Sequence, residues 1–116
     1  MSVEFSHSQA LRLLHDVSLA QVREGGVDLS NRQLAILLTI YMDLPPHTVR
    51  GLAAKLNVTK PVITRALDAM GEMDLVARRR DPADRRNVIV QRTVQGALYL
   101  EKLGDLVITN AKDLHL

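Results

Sequence analysis

Apolar residues recur at helical spacing along most of the chain, and the places where that spacing breaks mark its centre. Ala10, Leu13, Leu14, Val17 and Ala20 share one face over residues 6–23, with Arg12, Asp16 and Arg23 elsewhere. Gly25-Gly26 stops this first helix. Ser30-Asn31-Arg32-Gln33 then has the form of a capping box, in which Ser30 caps and Gln33 reaches back. The helix it opens carries Leu34, Leu37, Leu38 and Tyr41 in one stripe, widened by Ala35, Ile36 and Ile40. So broad an apolar surface predicts a central core helix. Pro45-Pro46 ends it, because a proline ring cannot continue the hydrogen-bond ladder.

Two shorter helical patterns follow, over residues 48–56 and 59–73. Thr48 caps the first, and Leu52, Ala53 and Leu56 face inward. Asn57-Val58 makes the turn, asparagine being tolerant of the left-handed conformation such a turn needs. Thr59 caps the second, with Pro61 in its first turn, where a missing N–H costs little. Its buried stripe is Ile63, Ala66, Leu67 and Met70. Lys60, Thr64, Arg65 and Asp68 lie on the opposite face.

The period then changes. Residues 76–80, Val-Ala-Arg-Arg-Arg, predict a strand in which Arg78 and Arg80 share one face and Arg79 takes the other. Asp81-Pro82 starts a charged tip that runs to Arg86, where Asp84 is placed to hold Arg86 by a charge-assisted hydrogen bond. A second strand covers residues 87–91, with either Val88 and Val90 or Ile89 alone facing inward. Thr93 caps a last helix reaching about Asp113. Ala97, Leu100, Gly104, Val107, Ala111 and Leu114 form a heptad-like seam on it, and Leu98, Leu103 and Leu106 a neighbouring stripe. One stripe can pack on the domain, and the other asks for a second cover.

Helix, turn, helix and hairpin in that order is a winged helix-turn-helix. The predicted fold class is mainly α with a small β-hairpin wing, flanked by N- and C-terminal dimerisation helices. Residues 1–29 form the first of these, 30–95 the winged helix-turn-helix and 96–116 the last. Charge agrees with that division. Although the formal net charge is only +2, residues 30–95 carry +5, against −2 before and −1 after them. A basic centre between neutral or acidic flanks is the footprint of a nucleic-acid-binding domain.

The second helix of a helix-turn-helix enters the major groove through its N-terminal half. Thr64 and Arg65 are placed to meet base edges there, Arg65 with the fork that grips a guanine bidentately. Thr59 can donate to phosphate or touch a thymine methyl, and Lys60 suits a phosphate as a compact charge. Five arginines fall within residues 78–86, and an arginine at a hairpin tip can enter a narrow minor groove. The candidate DNA-contacting residues are Thr48, Thr59, Lys60, Pro61, Thr64 and Arg65, with Arg78, Arg80, Asp84, Arg85 and Arg86 in the wing.

Other chemistry finds little support. Without cysteine there is no disulfide, thiolate nucleophile or redox sensor. His7, His15, His47 and His115 are scattered and predict surface positions, not a metal site. No glycine-rich phosphate loop follows a strand, and the wing carboxylates sit beside arginines, the opposite of what raises a carboxyl pKa for acid catalysis. No enzyme and no cofactor are expected. With no signal peptide and no apolar run long enough for a bilayer, the expected compartment is the cytoplasm. Aromatics make up 3% of the chain, so Leu, Ile, Val and Ala must fill the core. The competing function is a winged-helix protein-interaction module or partner-dependent cofactor, using the open seam of the last helix in place of DNA.

From Asn31 to about Leu103 the chain resembles the MarR-type winged-helix transcriptional regulators. The wing and its flanks are the specific part: Asp74-Leu75-Val76-Ala77-Arg78-Arg79-Arg80-Asp81-Pro82-Ala83-Asp84-Arg85-Arg86, then Val88-Ile89-Val90-Gln91-Arg92-Thr93. Residues 52–67 are consistent with it. The resemblance implies that Thr59, Lys60, Pro61, Thr64 and Arg65 lie on a recognition helix. It also implies that Asp84 and Arg86 form a wing pair whose arginine reaches the minor groove. A homodimer on a palindromic DNA operator and repression follow from it, often with relief by a small-molecule effector. Arg92 stands where the family usually has leucine. The chain also ends where the family's final dimerisation helix would begin. A dimer would therefore have to be built from the first and last helices, and small-molecule sensing stays open.

Overall fold

The computed structural model describes residues 4–114, so His115 lies outside the described residues. The elements in order are α1 (His7–Glu24), α2 (Asn31–Met42), β1 (His47–Thr48), α3 (Val49–Leu56), α4 (Lys60–Glu72), β2 (Val76–Arg80), β3 (Val88–Arg92) and α5 (Val94–Lys112). The chain divides into two compact units, Leu29–Leu100 and a second one made of the residues on either side of it.

Local chemistry sets the helix ends. Ser30 accepts from the Gln33 backbone N–H at 3.1 Å, and the Gln33 side chain accepts from the Ser30 N–H at 2.9 Å, a complete capping box. Ser6 and Gln9 repeat it at α1. Thr48 accepts from the Gly51 N–H at 2.9 Å. Asn57 adopts φ 57° and ψ 48°, the left-handed turn expected between α3 and α4. Thr59 differs from expectation: it precedes α4, but its side chain makes no cap hydrogen bond. Pro61 has no N–H to offer, and the next one, on Val62, is already bonded to the Thr59 carbonyl at 3.1 Å.

In the Leu29–Leu100 unit the core is aliphatic. Ile36, Leu37, Ile40, Ile63, Leu67 and Met70 are fully enclosed, with Leu52, Leu75, Val76 and Val90 nearly so. The inward stripe of α2 is rotated from the one predicted. Ile36, Leu37 and Ile40 form it, while Leu38 is 37% exposed. Some apolar neighbours must turn outward on any helix this apolar, and spacing alone does not choose them.

The sheet has three strands in the order β1-β3-β2, not the predicted two. β2 and β3 pair antiparallel with Arg78 opposite Val90 and Arg80 opposite Val88, while β1 adds His47 opposite Val90 and Thr48 opposite Ile89. Val90 is the inward residue of β3. The extra strand also corrects the surface position expected for His47. It is 9% exposed, and its Nε2 lies 3.3 Å from the Asp43 carbonyl oxygen.

One polar node ties the start of α5 to this core. The Tyr41 hydroxyl donates to the Thr93 carbonyl at 2.7 Å and accepts from the Thr93 N–H at 3.1 Å. The Thr93 hydroxyl donates to the Asp74 carbonyl at 2.7 Å and accepts from the Gly96 N–H at 3.0 Å, capping α5 as predicted. Asp43 and Lys55 form an ion pair that joins the end of α2 to α3.

The second unit holds α1 and the later part of α5. Val17 is its buried side chain on α1, and Lys102 pairs with Glu24 at 3.0 Å. Much apolar surface stays open: Leu11, Leu14 and Val22 on α1 are 66%, 63% and 76% exposed, and Ile108 on α5 is 55% exposed. Of the stripe predicted for α1, Ala10 and Leu14 therefore face outward. On α5 the seam residue Val107 is also exposed, while Leu103 and Leu106 are half-buried.

Candidate nucleic-acid interface

α4 presents its predicted outer face. Thr59, Lys60, Pro61, Thr64 and Arg65 are all exposed, on the side away from buried Ile63, Ala66, Leu67 and Met70. Among the described residues no carboxylate pairs with Lys60 or Arg65. A cleft beside this face is lined by the cap Ser30, by Arg32 and Gln33 from α2 and by Val62, Arg65 and Ala66 from α4. Arg32 was not singled out from the sequence. It stands in the first turn of α2, and only the fold brings it beside Arg65.

The wing is built by its own side chains. The Asp81 carboxylate accepts from the Ala83 N–H at 2.9 Å, and the strands close through the Asp81 N–H to the Asn87 carbonyl at 3.0 Å. Asp84 takes three bonds from Arg86: the backbone N–H and Nε to one oxygen at 3.1 Å each, and a terminal nitrogen to the other at 3.3 Å. That fork holds an 85% exposed side chain in one orientation. It also keeps the Asp84 carboxyl below its ordinary value, chiefly through the Arg86 side chain and backbone, with Arg50 adding its positive field.

Arg50 is a second residue that sequence reasoning passed over. It sits exposed in the first turn of α3, and its charge is felt at Asp84, so the helix-turn-helix contributes a cation to the field at the wing tip. The signal was present as a lone arginine two residues after the capping Thr48.

The predicted wing arginines take different posts. Arg85 is exposed, with no side-chain partner among the described residues, while its carbonyl accepts from the Arg80 guanidinium at 3.0 Å. Arg80 therefore braces the hairpin across its tip. Arg78 points back to α4, where it meets Asp68 at 2.7 Å. Thr48 is half-buried and spends its hydroxyl on the α3 cap. Two groups thus face outward on neighbouring elements: the start of α4, and the wing tip with Arg85 and Arg86. Among the described residues no cluster of His, Asp or Glu could hold a metal ion.

Comparison with known proteins agrees with this geometry. Residues 29–88 match the model of the MarR family. The HTH-type transcriptional repressor YetL of Bacillus subtilis (strain 168) is 33% identical over 79 residues, covering 66% of this chain and 47% of YetL, so the chain spans about half the length of that relative. Among solved structures, the transcriptional repressor CouR, a Rhodococcus jostii RHA1 protein, bound to a 23-mer DNA duplex superposes with a TM-score of 0.68 at 28% identity, over 91% of this chain and 69% of CouR. A point mutant of S. aureus MepR gives 0.71 at 20% identity, over 97% and 86%, and shares the fold. With more than half of its length matched to the family model, the chain belongs to the MarR family.

Proposed function

We propose that the chain is a sequence-specific regulator that binds duplex DNA and acts as a repressor. α4 lies in the major groove and the wing at the minor groove. The observation that carries this is the outer face of α4: Lys60, Thr64 and Arg65 stand exposed, without an acidic partner for either cation among the described residues, on the second helix of a helix-turn-helix. Bases are read by Thr64 and Arg65, with phosphates held by Thr59, Lys60 and the first turn at Pro61. Thr48 supports the approach by ordering the start of α3, which carries Arg50. In the wing, Asp84 aims Arg86, Arg80 stiffens the tip, and Arg85 is free for a phosphate. The DNA-bound state of CouR supports this reading by likeness. Residues 30–95 form the DNA-binding part, and residues 1–29 and 96–116 the dimerising parts. The open apolar residues of α1 and α5 are the surface of a homodimer, which would present two such faces to a palindromic operator. Its compartment is the cytoplasm, and no helix among the described residues is long and apolar enough to cross a membrane.

Fluorescence anisotropy against a duplex selected from a random pool, and against its scrambled form, tests this at several salt concentrations. Clear preference with a steep loss of affinity in salt is expected. Weak binding indifferent to sequence would instead favour a protein-interaction module.

A further inference from the structure

Asp68 lies three residues beyond Arg65 and four beyond Thr64 on α4, so it shares their outer face. A carboxylate three residues from an arginine on a helix is a ready ion-pair partner, and an arginine so held cannot offer its fork to a base. Arg65 nonetheless has no acidic partner among the described residues. The carboxylate of Asp68 is taken by Arg78, which reaches over from β2 with 2.7 Å between its terminal nitrogen and an Asp68 oxygen. The guanidinium lies over a single turn of the helix, since a Cβ placed on Gly71, three residues further on, would stand 4.0 Å from the same nitrogen. The Arg78 side chain is 31% exposed, against 85% for Arg86. Three arginines in a row are therefore not three equivalent phosphate contacts.

We infer that Arg78 is a specificity-determining positioning residue: by occupying Asp68 it keeps Arg65 free to read a base. This rests on the DNA-binding reading above and deepens it. With Arg78 in place, Asp68 is neutralised from the wing side and the outer face of α4 keeps an unpaired Arg65. With Arg78 removed, the nearest cation along the helix is Arg65, and the reading group is drawn into an intrahelical pair.

Four proteins decide this: the wild type, Arg78→Met, Asp68→Asn and the double variant. Methionine keeps the apolar stem of Arg78 and removes its charge. Each is measured by anisotropy on the selected duplex and its scrambled form over a salt series, after its thermal midpoint confirms folding. Arg78→Met is expected to lose preference for the selected duplex by about 1.4- to 2.3-fold, the worth of an exposed ion pair at this helical spacing, which Arg65 must give up to reach the base. Its affinity for the scrambled duplex and its salt slope should stay near those of the wild type. Adding Asp68→Asn should restore most of the preference, because no carboxylate is left to capture Arg65. If Arg78 is an ordinary phosphate contact, Arg78→Met weakens both duplexes alike, the slope falls by about 0.9, and Asp68→Asn rescues nothing. That result overturns the inference while leaving the DNA-binding reading intact. A wild type with no preference for either duplex fails one step earlier and overturns both.

Discussion

The guanidinium of Arg92 lies 5.3 Å from the centre of the Tyr41 ring, and it donates to the Tyr41 carbonyl at 3.3 Å and the Ile40 carbonyl at 3.0 Å. These carbonyls belong to the last turn of α2, where no further N–H of the helix is available. A cation there also opposes the negative end of the helix dipole. Arg92 stands where the resemblance leads to leucine, and the fold gives it contacts that leucine cannot make. Arg92→Ala is expected to lower stability by about 1–3 kcal/mol, from two charge-assisted hydrogen bonds and a stacked ring. Urea unfolding measures it, and a midpoint shift equivalent to under about 0.5 kcal/mol, the range of ordinary surface substitutions, would mean that the contacts are loose.

Gly96 stands beside the same node. A Cβ there would come within 2.4 Å of the Leu75 carbonyl oxygen and 2.5 Å of the Tyr41 hydroxyl. The first of these is backbone and cannot swing aside, and the second is held by both of its bonds to Thr93. Gly96→Ala should therefore destabilise the chain by about 1–3 kcal/mol or more, despite alanine's better helix propensity. Tyr41→Phe should relieve part of that loss in the double variant, since one of the two clashing atoms is gone. Thermal unfolding by circular dichroism compares the three, and additive losses would show that the two sites are independent.

Much of this was legible in the sequence, and the parts that were not share a cause. Ser30 with Gln33, Asn57 in its turn, Thr93 at α5 and the Asp84–Arg86 pair are all interactions within four residues, which spacing specifies. The partners of Arg78, Arg92 and Tyr41 lie 10 to 52 residues away, and no local pattern names them. β1 is two residues long, too short for an alternation to show, and with it went the burial of His47. On α2 the helix was evident but its inward side was not, because a nearly unbroken apolar run from Leu34 to Tyr41 leaves no contrast to read.

Asp84 offers a measurement in acid. Its folded pKa lies below the ordinary value of 3.8, so its bonds to Arg86 contribute fully above that value and fade as pH falls through the lowered one. A carbon-detected NMR titration should place the Asp84 midpoint below 3.8. Arg86→Ala should bring it part of the way back, because the backbone N–H of residue 86 still donates to the carboxylate, and Arg50→Ala should move it less. An unshifted midpoint in the wild type would mean that the fork does not persist in solution.

The dimer reading predicts an oligomeric state that one charge can change. Leu11 and Leu14 on α1 are 66% and 63% exposed, open apolar surface that a partner's burial would relieve. Light scattering behind size exclusion should give about twice 12.9 kDa for the wild type. Leu14→Glu should give the monomer, without loss of helical content. A wild type that runs as a monomer at all concentrations would remove α1 from any self-association.

For the reading helix itself, the sharpest expectation concerns Arg65. Its guanidinium is exposed near the start of α4 and unpaired among the described residues, and the fork matches the two acceptors of a guanine in the major groove. Arg65→Ala is expected to cost about 1–3 kcal/mol on the selected duplex and far less on a scrambled one, so that tolerance at one base-pair position widens. Lys60→Ala and Arg85→Ala should weaken both duplexes alike and each reduce the salt slope by about 1, as phosphate contacts do. Selection from a random pool with the Arg65 variant identifies the position directly. Equal losses on every duplex would assign Arg65 to the phosphates with Lys60, and base reading on α4 would then rest on Thr64 alone.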